Sequence, residues 1–206
     1  AVGSGIDISA PTGNMIVNIG AGSTEIAVIS LRGVVTSKTI PIAGDELNRN
    51  IVQYGRDVFN LMLGERIAEE IKIAVGSAME LSDRLEVSMR GRDLLSGLPR
   101  EIIVHDGQIR EAIGRSVKMI VDQIKSILEI TPPELVADIY QRGIVLTGGG
   151  ALLRGLDLAI SQGTGLPVRV SEDPLTAIVR GTGLLLDQPD LLKDVGFPAT
   201  EHAAIN

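Results

Sequence analysis

The stretch "MIVNIGAGSTEIAVIS" at residues 15–30 joins two short apolar runs through a glycine-rich turn. Runs rich in Ile and Val on either side of such a turn predict the two strands of a hairpin. Because Gly20 and Gly22 carry no Cβ, backbone N–H groups of the turn can point at an anion, and Ser23 and Thr24 add hydroxyl donors. An ordinary tight turn explains the same residues, since short glycine motifs are common. The turn by itself leaves both interpretations open.

The elements after the hairpin begin with a third strand, "GVVTSKTIPI" (33–42). "AGDEL" then starts a helix, for which Asp45 is the predicted N-cap. A second helix is predicted at 65–75, and two strands are predicted within 85–107 around a connection marked by Gly and Pro. The polar string "RGRD" (90–93) is interpreted as a solvent-exposed turn.

The longest predicted helix runs from Ile109 to Ile130, where apolar residues recur close to a 3.6-residue period, and Thr131-Pro132-Pro133 ends it. The remaining predicted elements are a helical turn near 133–140, a strand, triple-glycine turn and helix in "GIVLTGGGALLRGLDLAISQGTG" (143–165), a strand in 166–172 and a helix in 173–187. Strands that first form a meander and then alternate with helices predict an α/β fold with a mixed sheet.

The composition excludes several classes of function. The chain has 206 residues, of which 44% are hydrophobic and 22% charged, as in an ordinary globular protein. Its net charge of −7 and its aromatic content of 2% argue against nucleic acid as a partner. No cysteine is present, and two histidines do not make a credible zinc site. We therefore expect a soluble cytoplasmic protein without a thiolate or zinc centre.

Two further segments are candidates for ligand binding. The triple-glycine turn follows a strand and opens a helix, a setting that can hold a phosphate or lie beneath a nucleotide, although a close strand-to-helix turn is the alternative. In "ERIAEEIK", Glu69 and Lys72 lie three residues apart on one helical face. A solvated row of ion pairs explains that spacing equally well.

The order of these motifs resembles one family. The hairpin is followed by "AGDEL", "GERIAEEIK", "GRDLLSGLP", "RGIVLTGGGALLR" and "SEDPLTAIVRGTG". This succession, from about Pro11 to Leu186, resembles MreB, the family of bacterial actin homologues that determine rod shape. The strings are long and specific, so the resemblance favours the ligand-binding interpretation of all three candidate segments.

The resemblance implies the actin-like ATPase (ribonuclease H-like) fold, a mixed sheet flanked by helices, with this chain forming mostly the second lobe. Residues 1–45 and 109–165 would form its core subdomain, and residues 46–108 would form a smaller inserted one. Residues 166–206 would supply a strand and a helix returning to the first lobe, plus a tail. The first lobe matches nothing here, so we expect it to lie upstream of residue 1, in an N-terminally truncated chain.

By the same resemblance the site would bind ATP with Mg²⁺. The implied nucleotide-binding residues are Gly20, Ala21, Gly22 and Ser23 at the phosphates, Glu69, Glu70, Ile71 and Lys72 at the ribose and adenine, and Gly148, Gly149, Gly150 and Ala151 along the adenosine. The family's hairpin typically reads D-I-G-G-G-T, and its aspartate helps to hold Mg²⁺. This chain has Asn18 at that metal position, which keeps an oxygen but loses the charge, so Mg²⁺ is doubtful. No catalytic residue is identified, and hydrolysis stays open because the family is a weak ATPase.

The implied function is that of a cytoskeletal protein which binds ATP and polymerises into filaments that guide cell-wall synthesis. The alternative is a non-hydrolysing paralogue that co-assembles with an active MreB, which the Asn18 and Ala21 departures favour over a sugar kinase or phosphatase of the same superfamily. Expected partners are further copies of the chain, other MreB-family subunits and cell-wall elongation membrane proteins. The expected location is cytoplasmic, at the inner face of the cell membrane in the full-length protein, because membrane association would depend on first-lobe elements that this chain lacks.

Overall fold

The computed structural model describes residues 1–188, 190 and 192, and within them the chain forms eight strands and six α-helices. The first seven elements are β1 (Asn14–Ile19), β2 (Thr24–Ser30), β3 (Gly33–Ile40), α1 (Gly44–Phe59), β4 (Leu61–Met62), α2 (Glu65–Val75) and β5 (Glu86–Asp93). The other seven are β6 (Pro99–His105), α3 (Asp106–Ile130), α4 (Pro133–Arg142), β7 (Ile144–Thr147), α5 (Leu156–Thr164), β8 (Val168–Val170) and α6 (Ala177–Asp187). The predicted tail lies largely outside the described residues.

The larger sheet has five strands in the order β3-β2-β1-β7-β8. Its first three strands form the predicted antiparallel meander, and β7 and β8 are added in parallel to β1. Asn18 pairs with Glu25 on one side and with Thr147 on the other, so these three residues form one row across the sheet. The predicted mixed sheet of an α/β fold is confirmed.

The smaller sheet is antiparallel, with the order β4-β5-β6. The prediction of a turn at "RGRD" is wrong, because these four residues end β5: Arg90, Gly91 and Arg92 pair with β6, and Asp93 pairs with Leu61 of β4. Arg90 forms an ion pair with Glu101 across the two strands at 3.1 Å, and both side chains are solvent-exposed. Arg90 and Arg92 are thus exposed side chains of a strand, Asp93 is buried, and the turn follows at residues 94–96, where the Asp93 carboxylate accepts hydrogen bonds from Leu95 N and Ser96 N.

One continuous apolar core joins the two sheets. On one face of the larger sheet, Met15, Val17, Ile26 and Val28 are fully buried, and buried residues of the helices and of the smaller sheet belong to the same cluster. On the other face, Ile16 and Val145 pack against Ile6 and Ile8 of the N-terminal segment. Among the described residues no helix is both long and apolar enough to cross a membrane.

The start of α1 differs from the prediction. Asp45 is not the N-cap: Ala43 occupies that position and the helix begins at Gly44. The first amides of the helix donate instead to the hairpin, with Gly44 N 3.1 Å from Gly20 O and Asp45 N 2.8 Å from Ala21 O. Backbone carbonyls of the β1–β2 turn thus satisfy the N–H groups that a capping side chain would otherwise satisfy.

The triple-glycine segment packs directly against the end of β1. Gly148 has a φ of +83°, and a Cβ at this position would lie 2.7 Å from Asn18 Oδ1. The next residues form a 3₁₀ turn at Gly149–Leu152, where a Cβ on Gly150 would overlap the Cγ2 methyl of Ile19. Ile19 is itself buried, so it has little freedom to move aside.

We expect Gly150→Ala to lower the free energy of unfolding by about 1–3 kcal/mol, because the added methyl overpacks a filled site. The matched control is Gly114→Ala in the middle of α3, where a Cβ meets nothing within 4 Å. There the same change should raise the free energy of unfolding by about 0.5–1 kcal/mol. Urea denaturation of both variants measures the difference, and equal effects would contradict the packing described for Gly150.

Candidate functional site

The β1–β2 turn is held by its own backbone and by α1. Gly20 N donates to Ser23 O at 2.9 Å, which closes the turn, while Ala21 and Gly22 are exposed at its tip. As described above, the Gly20 and Ala21 carbonyls accept hydrogen bonds from the first two residues of α1. The turn and the helix N-terminus therefore form one rigid wall.

Helix α2 brings a cationic side chain to this wall. The Lys72 ammonium donates to Gly44 O at 3.1 Å, so the amine lies beside the first residue of α1. Burial lowers the pKa of Lys72, and the nearby Glu69 and Asp45 carboxylates only partly counter this effect. Because a partly buried ammonium lacks some of its hydration, an anion placed beside it would be favourable.

These elements enclose one cavity of about 560 Å³. Six predicted residues line it: Gly20, Ala21, Glu69, Lys72, Gly149 and Gly150. The structure thus brings the β1–β2 hairpin, the "ERIAEEIK" segment of α2 (the α2 motif) and the triple-glycine turn together around a single cavity. Its volume suits a ligand of small-molecule size.

The other predicted site residues lie outside the lining of this cavity, as far as the chain is described. Ile71 and Ala151 are buried in the core, and Glu70 is on the exposed side of α2, where it forms an ion pair with Arg66 at 3.1 Å. Gly148 lies against β1, Gly22 is exposed at the tip of the β1–β2 turn, and the Ser23 carbonyl accepts the hydrogen bond that closes this turn. Their role in binding stays a prediction.

The cavity also has lining residues that sequence reasoning missed. These are Gly44, Asp45, Leu47, Ile73, Gly76, Leu152, Leu153, Arg154 and Leu175. Five of the nine are apolar, and Ile73 is 72% exposed, which is unusual for an isoleucine on a helix that has a buried face. An apolar residue placed on the polar side of the α2 pattern was the signal available in the sequence.

Asn18 lies beside the cavity lining, in the row across the sheet. Its Nδ2 donates to Glu25 Oε2 at 2.5 Å, and the Ser23 hydroxyl donates to the other oxygen of the same carboxylate. Asn18 Oδ1 is buried and has no hydrogen-bond donor among the described residues. The carboxylate at the hairpin is thus already engaged at both oxygens.

This donor set does not fit a directly bound magnesium ion. Mg²⁺ needs accessible oxygen ligands in near-octahedral geometry and favours carboxylates. Here the amide oxygen is closed off from solvent, and the Glu25 oxygens are taken by Asn18 and Ser23. The described residues contain no group of three or more His, Cys, Asp or Glu side chains that could hold a metal.

Comparison with known proteins places this geometry in a family. A family model described as MreB/Mbl protein matches residues 1–194. The chain belongs to the MreB/Mbl family. It is 47% identical over 192 residues to the cell shape-determining protein Mbl of Bacillus subtilis (93% of this chain, 58% of that protein). It is 46% identical over 191 residues to the cell shape-determining protein MreB of Escherichia coli K12 (93% of this chain, 55% of that protein).

Solved structures of MreB5 from Spiroplasma citri have the same fold. The form bound to AMPPNP matches with a TM-score of 0.89 and 34% identity, covering 95% of this chain and 58% of that one. The form bound to ADP matches with a TM-score of 0.90 and 34% identity, covering 95% and 60%. The predicted actin-like fold is confirmed, and the chain spans a little over half the length of these MreB/Mbl relatives.

We expect Lys72→Met to leave the free energy of unfolding at pH 7 within about 1 kcal/mol of the parent, or to raise it, because methionine keeps the buried stem without a desolvated charge. The lowered pKa means that the folded state holds this proton less tightly than the unfolded state. The parent should therefore gain stability relative to the variant as pH rises toward the ordinary value of 10.5.

Urea denaturation at pH 7 and at about pH 9.5 measures this change. The matched control is Lys118→Met, because Lys118 is exposed and forms its ion pair with Asp122, four residues away on the same helix, at 2.6 Å. A stability difference between parent and Lys72→Met that stays constant with pH would contradict the described burial of Lys72.

Proposed function

We propose that the cavity binds the nucleotide of an actin-like cytoskeletal protein, that this nucleotide is ATP, and that the protein polymerises into filaments that determine cell shape. The observation that carries the proposal is that the hairpin, the α2 motif and the triple-glycine turn line a single cavity. The family membership supports it, as do the printed names of the relatives, which are cell shape-determining proteins. The S. citri MreB5 structures add support because they were solved with AMPPNP and ADP.

Each wall of the cavity has a role in the proposed binding of ATP. The turn at Gly20 and Ala21 would face the phosphates, and Lys72 would place its cation beside the negative charge. Glu69 would accept hydrogen bonds from ribose hydroxyls. The apolar side chains of Leu152 and Leu153 follow Gly150 and would pack against the purine, as apolar walls do in most small-molecule sites.

The predicted division of the chain is part of the proposal. Residues 1–45 and 109–165 would form the core subdomain, 46–108 the inserted one, and 166–206 the return to the first lobe. The smaller sheet falls within 61–105, inside the proposed insertion. In an actin-like protein, nucleotide between two lobes would select their closed arrangement, and head-to-tail contacts between subunits would then repeat as an open filament.

The proposed setting is the inner face of the cell membrane, with further copies of the chain, other MreB/Mbl subunits and cell-wall elongation membrane proteins as partners. The shape-determining names of the relatives support this setting.

The first test is a calorimetric titration of AMPPNP into the chain. Because the chain spans a little over half the length of its relatives, we expect weak binding, with a Kd near or above about 100 µM. Lys72→Met should weaken binding by about tenfold or more, the loss typical of a hydrogen bond to a charged group. Lys118→Met, which changes a lysine remote from the cavity, should bind like the parent. Equal affinities in all three proteins, or no binding by the parent at millimolar ligand, would contradict the proposed site.

The second test is co-sedimentation with a full-length MreB/Mbl protein. Filaments that pellet from the chain alone in the presence of ATP are the expected result for an independently polymerising subunit. Pelleting only in the mixture would support the other candidate, a non-hydrolysing paralogue that co-assembles with an active partner. The occupied Glu25 carboxylate beside Asn18 is the specific observation that favours this second candidate. Absence from the pellet in both cases would contradict the filament proposal.

A further inference from the structure

The Glu25 carboxylate is held by two short hydrogen bonds at the end of the sheet. Asn18 Nδ2 reaches one oxygen at 2.5 Å and the Ser23 hydroxyl reaches the other. Because Asn18 and Glu25 are directly paired between β1 and β2, the backbone ladder keeps their side chains on the same face. The three residues form a closed unit, which we name the hairpin clasp (Asn18, Ser23 and Glu25).

The orientation of the Asn18 amide is fixed by its surroundings. Its Oδ1 is buried where the chain passes at Gly148, so close that a Cβ on Gly148 would lie 2.7 Å from it. A flipped amide would turn Oδ1 toward the Glu25 carboxylate, oxygen against oxygen. The Asn18 Nδ2 group therefore has one favourable acceptor, the Glu25 carboxylate.

We propose that Asn18 is a positioning residue whose amide takes the place of a divalent cation in the hairpin clasp. A carboxylate at position 18 would meet the Glu25 carboxylate at the distance of a hydrogen bond, with no proton between them. Two carboxylates at such a distance are stable together only with a cation or a proton between them. The amide removes that requirement, so the clasp closes without metal.

The experiment is a thermal unfolding cycle on the 206-residue chain, in EDTA and in Mg²⁺, without nucleotide. The Tm of the parent should be the same in both conditions. Asn18→Asp should lower the Tm in EDTA by about 4 °C or more. Mg²⁺ should recover about half or more of that loss by bridging the two carboxylates.

The double variant Asn18→Asp with Glu25→Gln exchanges the amide and the carboxylate. It should restore a Tm close to that of the parent and should not respond to Mg²⁺. Asn50→Asp is the matched charge control, because Asn50 also donates to a carboxylate, Glu46 Oε1 at 3.2 Å, on a surface where Arg49 already supplies a cation. We expect no Mg²⁺ response from that variant.

Three results would overturn the proposal: a parent Tm that rises with Mg²⁺ as much as that of Asn18→Asp, an Asn18→Asp variant that is unaffected in EDTA, or a double variant no more stable than Asn18→Asp. If Asn18→Asp does not fold, the double variant decides the outcome alone.

The proposal rests on the proposed function only in assigning this hairpin to the phosphates. The thermal unfolding experiments contain no nucleotide. If AMPPNP fails to bind in the calorimetric titration, that result contradicts the proposed function, but the Tm values still test the proposal about Asn18.

Discussion

The close packing of Ile19 against the triple-glycine turn is the constraint on which the cavity depends. Strands β1 and β7 run in parallel, so the chain leaving β7 must pass the end of β1 within van der Waals contact. Gly148 and Gly150 allow that passage because neither carries a Cβ, and Gly148 also adopts a positive φ. The triple-glycine turn and the β1–β2 hairpin are thereby held at a fixed separation by the sheet itself.

Hydrogen bonds extend this constraint from the sheet to two helices. The turn carbonyls of Gly20 and Ala21 hold the first residues of α1, and the carbonyl of Gly44 accepts from Lys72 of α2. Consequently the hairpin, the α1 N-terminus and α2 cannot shift independently. The Lys72 ammonium has three N–H donors, so a phosphate beside it could accept a hydrogen bond while Gly44 O keeps its own, and one side chain would then join the ligand to both helices.

Much of this arrangement could be predicted from the sequence, because the periodicity of apolar residues indicates helices and strands, and the positions of glycines indicate turns. The hairpin, the 65–75 helix and the strand-turn-helix around the triple glycine all formed as predicted. The errors arose where tertiary contacts replaced local ones. Asp45 is a good N-cap residue, but carbonyls of a turn more than twenty residues earlier satisfy the helix amides instead. "RGRD" is polar enough for a turn, but cross-strand pairing with β4 and β6 keeps it extended.

The apolar half of the site was hidden from sequence reasoning for a related reason. Glycine and charged residues attract attention in a motif, whereas Leu47, Leu152 and Leu175 are indistinguishable from core residues until the fold shows which side they face. Only three-dimensional packing assigns Leu152 to the cavity while the adjacent Ala151 joins the core.

Asn18 is not among the residues that line the cavity, so nucleotide binding and metal-assisted hydrolysis would involve different residues. The described lining includes backbone of the turn, Lys72 and an apolar wall, and it does not include Asn18 or Glu25. Under the proposed function, affinity for a nucleotide would therefore depend mainly on groups that the aspartate-to-asparagine departure leaves untouched. Metal-assisted hydrolysis would depend instead on the charge at the end of β1, where an amide faces a carboxylate in this chain. If the proposed function holds, a chain with this hairpin would lose turnover before it lost the ligand that holds two lobes closed, and a subunit that kept its nucleotide would stay in the conformation that favours assembly.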